Sequence, residues 1–306
     1  MRKMTKKRKI AAVVLIGLAL CSVFLVFAPG SSGSASVLEP VRGSLDVEVD
    51  SAAEDALKIR YEDYIVQYAE KPHPDVSLVI EAESFVAADG MEVETIQQFE
   101  GSSTPVIKTG DSGSVHWDIE VPEEGLYHIN LRYYPIKGHS STIERELLID
   151  GVTPFDEATR LGFSRVWRNE LPEIQRDSRD NDLRPRQVEE PQWQESVLRD
   201  SEGYYKEPFS FYFSKGKHRI TLTSLREPMV IDYIKLYQEE EIPGYEEIKA
   251  FYQQNGYQPT SGRFVKIQGE AATLKSNPSL YPINDRSSPG TEPYHVSKIR
   301  MNAIGG

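Results

Sequence analysis

The sequence predicts an all-β fold, an antiparallel β-sandwich with short helices flanking it and an incomplete second copy of the same module. From Val76 to Tyr237, apolar and polar residues alternate with a period of two in short segments, as in half-buried strands. Turn sequences such as Asp150-Gly151 separate these segments, and no helical pattern lies between them. Eight or more short strands without interleaved helices are typical of a sandwich.

Residues 1–35 are predicted to be a signal peptide or a membrane anchor. Six basic residues precede the stretch Ile10–Ala28, which has no charged side chain. Its length suits either a signal or a short spanning helix, and the small residues Gly33-Ser34-Ala35 resemble a cleavage site, which favours export. We therefore expect a secreted or cell-surface protein. Cys21 is the only cysteine, so the exported part would have no disulfide.

The charge of the chain excludes some classes of function. The formal net charge is -12, and without the six N-terminal basic residues it is 29 minus 47, or -18. Nucleic acid is therefore not an expected partner, because phosphate binding needs a basic surface.

The six histidines form no pair at metal-ligand spacing, and the sequence has neither a Gly-x-Ser-x-Gly motif nor a phosphate-binding loop. We expect no catalytic activity.

A linker and a helix are predicted for residues 36–75. Ser51 and Glu54 have the spacing of a capping box. The apolar side chains that follow share one helical face, and a proline-rich sequence from Lys71 ends the pattern. The residues of that face are Leu57, Tyr61, Tyr64, Ile65 and Tyr68.

The sandwich itself is predicted for residues 76–238. Its expected strands are Ser77–Glu83, Val93–Gln97, Val115–Val121, Leu126–Tyr134, Glu144–Ile149, Phe209–Phe213, Arg219–Thr223 and Met229–Tyr237. Between Gly162 and Pro208 the alternation is lost, although the segment contains several large aromatic residues. A segment of this length in a compact β domain is usually functional or disordered, and the aromatic content argues against disorder. We call residues 162–208 the excursion.

Three acidic residues are unusual for their predicted positions. Glu81 and Glu83 would lie on the same face of the first strand and repel each other. Asp232 falls in the apolar phase of the last strand, where an unpaired carboxylate is costly. A hard cation bound by all three carboxylates would remove both difficulties. The alternative is that they are surface carboxylates on an edge strand.

A second module is predicted to begin after residue 238. A helical linker is expected at 239–262, and a strand from Phe264 to Ala271 opens the truncated second copy at 263–306. The helix, linker and first strand recur at an offset of 184 to 187 residues, which indicates an internal repeat of a whole domain. Because 44 residues are too few for a sandwich, we expect this chain to be a fragment of a longer protein.

Three motifs in the correct order resemble the β-jelly-roll carbohydrate-binding modules of families 6 and 35. They are Glu81-Ala82-Glu83, the stretch from Trp117 to Tyr127, and Ile231-Asp232-Tyr233-Ile234, and the resemblance covers about half of the chain. The resemblance implies a jelly-roll fold and a structural calcium ion bound by Glu81, Glu83 and Asp232. In the second copy, Gln268 and Glu270 stand at the positions of Glu81 and Glu83, so the second copy departs from this pattern.

The excursion offers candidate ligand-binding residues. Aromatic planes stack on the C–H faces of sugar rings, and planar polar side chains bind sugar hydroxyls. The candidates are Trp167, Asn181, Asp182, Arg184, Gln187, Trp193, Tyr204 and Tyr205. The alternative is a lid whose aromatic residues pack on the sandwich. Trp117 alternates in phase with apolar neighbours and is expected in the core.

A weaker resemblance covers the whole chain. The export signal followed by helix, module, helix and second module is similar to the N-terminal half of extracellular solute-binding proteins of Gram-positive bacteria, which serve ABC-type sugar import. The expected function is non-catalytic binding of an oligosaccharide or polysaccharide at the cell surface, with a membrane transport complex as a further partner. The alternative is a structural or protein-interaction sandwich of the cell envelope that has no sugar ligand.

Overall fold

The computed structural model describes residues 59–239 and 242–305. The predicted signal or anchor and the Ser51–Glu54 capping box lie outside these residues. In the described part of the chain, no helix is both long enough and apolar enough to cross a membrane. The helices are α1 (Tyr61–Gln67) and α2 (Tyr245–Gln254). The strands are β1 (Leu78–Glu81), β2 (Ala87–Asp89), β3 (Glu94–Ile96), β4 (Val106–Thr109), β5 (Gly113–Val121), β6 (Gly125–Pro135), β7 (Ile143–Ile149), β8 (Leu161–Phe163), β9 (Trp167–Asn169), β10 (Gln187–Glu189), β11 (Gln194–Val197), β12 (Ser210–Phe213), β13 (Gly216–Arg226), β14 (Met229–Tyr237), β15 (Tyr281–Ile283) and β16 (Ala303–Gly305).

Two antiparallel sheets form the sandwich. In the first sheet, β6 and β14 pair with each other at the centre. Strands β11 and β12 pair with the other side of β6. Strands β1 and β4 pair with the other side of β14, and β3 pairs with β4. The second sheet has the order β2-β5-β13-β7-β8. The chain passes repeatedly from one sheet to the other, as in a jelly roll. The predicted antiparallel sandwich is confirmed.

The core lies between the two sheets and takes its side chains from the inward phase of each strand. Trp117 of β5 is fully buried, as predicted, and its indole Nε1–H donates a hydrogen bond to the Ala82 carbonyl oxygen at 2.9 Å. This bond satisfies the one polar atom of the indole. Other core side chains, from both sheets, are Ile107, Tyr127, Ile129, Leu131, Leu147, Phe211, Ile220, Leu222 and Ile234. Each contributes about 1.5–3 kcal/mol by burial.

Helix α1 covers the open edge of β12. The predicted apolar face is confirmed for its described residues: Tyr61 and Tyr64 are buried in the core. Their hydroxyls accept hydrogen bonds from the backbone N–H groups of Ser210 at 2.9 Å and Tyr212 at 2.8 Å. These are N–H groups that an edge strand would otherwise leave unpaired. The helix therefore both adds to the core and blocks further strand pairing at this edge.

The alternation of β14 changes phase at Asp232, which corrects the sequence prediction. The inward residues are Met229 and Ile231 before this position but Ile234 and Leu236 after it. The pairing of β14 with β6 shifts in register between Ile231 and Tyr233, so Asp232 is the extra residue of a β-bulge. The single apolar phase assumed for this strand was wrong, because a bulge inserts one residue and exchanges the two faces beyond it.

The first strand ends earlier than predicted. Pairing of β1 with β14 stops at Glu81, opposite Tyr233, and a single 3-10 turn follows at Ala82–Ser84. The Ser84 hydroxyl donates to the Glu81 carbonyl oxygen at 2.6 Å and stabilises this turn. Glu83 therefore belongs to the turn, and the strand periodicity assumed for the two acids does not apply.

The second copy is only partly like the first. Its predicted helix is confirmed as α2, but no strand forms at 264–271, where Phe264, Val265 and Ile267 are exposed. In the first copy β14 holds the equivalent strand, whereas none of the described strands pairs with residues 264–268. The 3-10 turn at Gly269–Ala271 does match the one at Ala82–Ser84, at an offset of 269 minus 82, or 187.

Candidate functional site

The three acidic residues singled out in the sequence lie near one another. Burial, and then the negative charges of Glu83 and Asp232, raise the pKa of the Glu81 carboxyl group. The Glu83 Oε2 atom is buried and has no hydrogen-bond partner. Two carboxylates with unfavourable surroundings therefore lie at the end of β1, beside the bulge of β14.

Asp232 has protein partners for its charge. It is 1% exposed, and its carboxylate accepts hydrogen bonds from the Arg132 guanidinium and, at 2.8 Å, from the Thr104 hydroxyl. In the part of the chain that the structure describes, no group of three or more His, Cys, Asp or Glu side chains is positioned to hold a metal ion. The orphaned Glu83 oxygen and the raised pKa of Glu81 fit a cation, and Asp232 would have to share its carboxylate between that cation and Arg132.

Several predicted ligand-binding residues of the excursion contact the segment 275–302. Trp167 is 8% exposed, and its backbone forms an isolated β-bridge with Lys275. The Gln187 side-chain oxygen accepts a hydrogen bond from the Lys275 ammonium at 2.8 Å. The guanidinium of Arg184 lies over the Tyr281 ring, 3.5 Å from its centroid. These polar and aromatic groups are engaged within the protein.

Asn181 and Asp182 make similar contacts. The Asn181 side-chain oxygen accepts from the Ile299 N–H at 3.0 Å, and the Asp182 carboxylate accepts from the Met301 N–H at 2.9 Å. The Arg176 guanidinium also donates to Asp182, at 2.9 Å. Both residues thus hold two distant parts of the chain together.

Trp193 lies apart from these residues, at the start of the strand β11. Its indole Nε1–H donates to the Glu100 carbonyl oxygen at 3.0 Å, and its ring packs edge-on against Phe99 and Tyr134. The guanidinium of Arg132 lies 4.5 Å from the ring centroid. Trp193 is half-buried, so part of its indole is accessible on the outer side of the first sheet.

Tyr204 and Tyr205 lie near α1. The Tyr205 ring packs edge-on against Tyr61, whereas Tyr204 is 77% exposed. The Asp200 carboxylate accepts from the backbone N–H of both tyrosines and so fixes their turn. The eight predicted ligand-binding residues therefore form three separate groups, and their role stays a prediction.

A cleft of about 390 Å³ lies where several loops meet at one end of the sandwich. Its walls are residues 140–142 between β6 and β7, Ser164, Arg165 and Trp167, Arg226 at the end of β13, and residues 276–278. We call it the loop-end cleft. Its lining includes two arginines, several hydroxyl-bearing residues and one predicted ligand-binding residue, the largely buried Trp167.

The β6–β7 loop in this wall is held by a buried carboxylate. Glu227 is 1% exposed and accepts hydrogen bonds from the His139 N–H at 2.9 Å, the Ser141 hydroxyl at 2.8 Å and the Arg165 guanidinium at 2.6 Å. The loop approaches so closely that a Cβ at Gly138 would lie 2.0 Å from the Glu227 carboxylate. Glycine at position 138 is therefore required by the contact.

The electrostatic balance of the cleft is close to neutral. Arg165 pairs with both Glu227 and Glu189, and Arg226 lies 3.4 Å from Glu144. Burial acts to raise the pKa of Glu227, but the hydrogen bonds from Ser141 and His139 and the charge of Arg165 outweigh it and lower that pKa. The lowered pKa favours the ionised form of Glu227, which neutralises the charge of Arg165.

Sequence reasoning missed most of this cleft. Ser141, Arg226 and Asn277 lie in three segments that are 51 to 136 residues apart, and none of them belongs to a motif. The only available signal was Trp167 within an excursion rich in aromatic residues. The sequence singled out the excursion, but the other residues of the cleft could not be identified from it.

No model of a known protein family matches the sequence, and no curated protein matches it. Among solved structures, the chain is similar to a β-(1,4)-mannanase from Podospora anserina with a family 35 carbohydrate-binding module, at 13% identity, covering 56% of this chain and 29% of that one, with a TM-score of 0.32. A family 35 module from Clostridium thermocellum is 14% identical over 54% of this chain and 99% of its own, with a TM-score of 0.31. The C-terminal family 6 module of a laminarinase from Zobellia galactanivorans is 16% identical over 53% of this chain and 100% of its own, with a TM-score of 0.30. At these identities the likeness concerns the fold alone.

Proposed function

We propose that the sandwich is a non-catalytic carbohydrate-binding module and that it binds a neutral glycan in the loop-end cleft. The observation that carries this proposal is the meeting of Trp167 with a hydroxyl-rich rim and paired guanidinium groups in one cleft of about 390 Å³. Ligand sites of this size combine an apolar or aromatic surface with a few placed polar groups. The cleft has both.

The chemistry of the cleft favours a neutral sugar over an acidic one. Arg226 is half-exposed and can still donate N–H groups to sugar hydroxyls, whereas the Arg165 guanidinium is buried and bonded within the protein. Glu227, Glu189 and Glu144 already balance the charges of both arginines. An anionic sugar would gain little Coulomb energy there and would approach three carboxylates. A neutral ring can lie against the part of Trp167 that lines the cleft while its hydroxyls bind the rim.

We also propose a structural calcium ion held by Glu81 and Glu83, with Asp232 as the third carboxylate. Calcium prefers several oxygen ligands, and the buried Glu83 Oε2 has no other partner. The ion would offset the burial and the repulsion from Glu83 and Asp232 that raise the pKa of Glu81, and it would tie the end of β1 to the bulge of β14. It would stabilise the fold and take no part in ligand chemistry.

A second candidate is a structural or protein-interaction module without a sugar ligand. It is favoured by the contacts of Gln187, Asn181, Asp182 and Arg184, which bind other parts of this chain. If the excursion serves only to dock protein, no glycan will bind. The wider context that we propose is the accessory N-terminal part of an extracellular solute-binding protein for ABC-type sugar import.

Glycan binding is tested by affinity electrophoresis of the protein in gels containing mannan, laminarin, xylan or dextran. We expect retardation by at least one polysaccharide. Thr142→Trp places a bulky side chain at the exposed rim of the cleft and should abolish the retardation. The matched control, Thr95→Trp, changes an exposed threonine of β3 outside the cleft and should leave it intact. No retardation in any gel, or equal retardation of both variants, rejects the cleft as a glycan site.

A further inference from the structure

The segment 275–302 is bound to the excursion at two places. At the first, the backbone N–H of Trp167 donates to the Lys275 carbonyl oxygen, and the Lys275 N–H donates back, both at 2.8 Å. The Lys275 side chain, 5% exposed, donates to Asn169 Oδ1 at 2.7 Å and Gln187 Oε1 at 2.8 Å. Lys275 therefore bridges β9 and β10 and is fixed to the residue that lines the cleft.

The second attachment lies near the end of the segment. The Arg300 guanidinium donates to the Asp180 carboxylate at 2.6 Å, and the neighbouring backbone N–H of Met301 donates to Asp182 at 2.9 Å. These contacts join residues about 120 positions apart in the chain. The segment is thus attached to the excursion near both of its ends.

The docked segment supplies one wall of the loop-end cleft. Ser276, Asn277 and Pro278 follow Lys275 directly and line the cleft together with residues 140–142. If Lys275 left its position, this wall would move with it, because only one peptide bond separates Lys275 from Ser276. The remaining surface around Trp167 would be open on that side.

We propose that the segment 275–302 is a required part of the glycan site and that its docking on the excursion is thermodynamically coupled to glycan binding. This inference rests on the proposed function of the cleft. A ligand that contacts both walls binds the docked state more tightly than the undocked state, so it shifts the equilibrium towards docking. Lys275 and Arg300 act as positioning residues, since neither lines the cleft.

The test compares the wild-type chain with the double variant Lys275→Met/Arg300→Met. Two readouts are required: hydrogen exchange at the backbone amides of Trp167 and Lys275, and calorimetric titration with mannohexaose, laminarihexaose and xylohexaose. We expect the variant to exchange both amides at least tenfold faster and to bind at least tenfold more weakly. In the wild-type protein, the oligosaccharide that binds should slow exchange at the same two amides.

The matched control is Lys249→Met/Arg263→Met, which changes one lysine and one arginine that are exposed and lie outside the cleft and the docking contacts. It should leave exchange and affinity unchanged. Faster exchange in the docking variant with wild-type affinity would overturn the coupling, and unchanged exchange would show that these residues do not hold the segment. If the wild-type chain binds none of the oligosaccharides, the proposed function itself fails, and this inference fails with it.

Discussion

The hydroxyl of Tyr64 in α1 accepts a hydrogen bond from the backbone N–H of Tyr212 in the edge strand β12, at 2.8 Å. One turn earlier, Tyr61 makes the same contact with Ser210. Two side chains of a short helix thereby take the role of a neighbouring strand. The helix is only seven residues long and would not be stable alone, so its stability comes from this packing.

Replacing Tyr64 with Phe should lower the free energy of unfolding by about 1–3 kcal/mol. The variant keeps the ring but leaves the Tyr212 N–H buried without an acceptor. Urea denaturation followed by tryptophan fluorescence measures the change. Tyr68→Phe is the matched control, since the Tyr68 ring stacks on Tyr212 and packs at the edge of the core. Equal losses for both variants would mean that the hydroxyl of Tyr64 contributes nothing particular.

Glu227→Ala should cost about 3–5 kcal/mol, because it removes a buried carboxylate and leaves Arg165 with Glu189 as its remaining ion-pair partner. The matched control is Glu94→Ala, which breaks the exposed pair with Lys108 and should cost no more than about 1 kcal/mol. Thermal unfolding of both variants at neutral pH provides the comparison. A loss for Glu227→Ala as small as that of the control would contradict the structural role of this carboxylate.

The lowered pKa of Glu227 also predicts how the stability of the fold depends on pH. Because the folded protein lowers the pKa of Glu227 from its ordinary value of 4.5, its contribution is present above that value and is lost as the pH falls through the folded-state pKa. Glu227→Gln should therefore flatten this part of the curve of stability against pH. A curve with the same slope as that of the wild-type protein would show that Glu227 has no lowered pKa.

Glu81 predicts the opposite dependence in calcium-free protein. Its pKa is raised in the folded state, so ionisation is less favourable there than in the unfolded chain. Stability should fall as the pH rises from the ordinary carboxyl range, near 4.5, through the folded-state pKa. Glu81→Gln should remove this fall. Thermal unfolding in EDTA across this pH range measures both.

Bound calcium should make the ionised Glu81 carboxylate stabilise the fold instead of destabilising it. If the ion binds the three carboxylates, adding calcium at neutral pH raises the melting temperature of the wild-type protein, and Glu81→Gln and Glu83→Gln weaken that increase. Glu94→Gln, at an exposed carboxylate on the same sheet, is the control and should respond as the wild type does. An unchanged melting temperature on adding calcium would reject the metal site.

The longest strands could be predicted because the signal for them is local, whereas short strands such as β2 and β4 were missed. Alternation in the stretches around Trp117 and Ile129 identified β5 and β6, and the core position of Trp117 followed from its phase. The bulge at Asp232 could not be predicted in this way. One inserted residue leaves the composition of a strand unchanged, and only the register against β6 shows it.

The site was less predictable because long-range contacts build it. Trp167 and Lys275 are 108 positions apart, and nothing in either local sequence indicates that their backbones pair. Gln187 and Asp182 do form several polar contacts, but their partners in the structure are other parts of this chain, so their expected role in binding sugar stays a prediction. A list of suitable side chains does not show which of them remain free.

The three tryptophans provide the most direct test of glycan binding in the loop-end cleft. Trp117 is in the core, Trp167 lines the cleft and Trp193 lies on the outer side of the first sheet, so the three indole N–H signals in a ¹H–¹⁵N spectrum report three places. During titration with the oligosaccharide that binds, the Trp167 signal should shift, while those of Trp117 and Trp193 stay in place. A shift of Trp193 alone would indicate a binding site on the outer side of the first sheet, and an unchanged Trp167 signal would contradict glycan binding in the loop-end cleft.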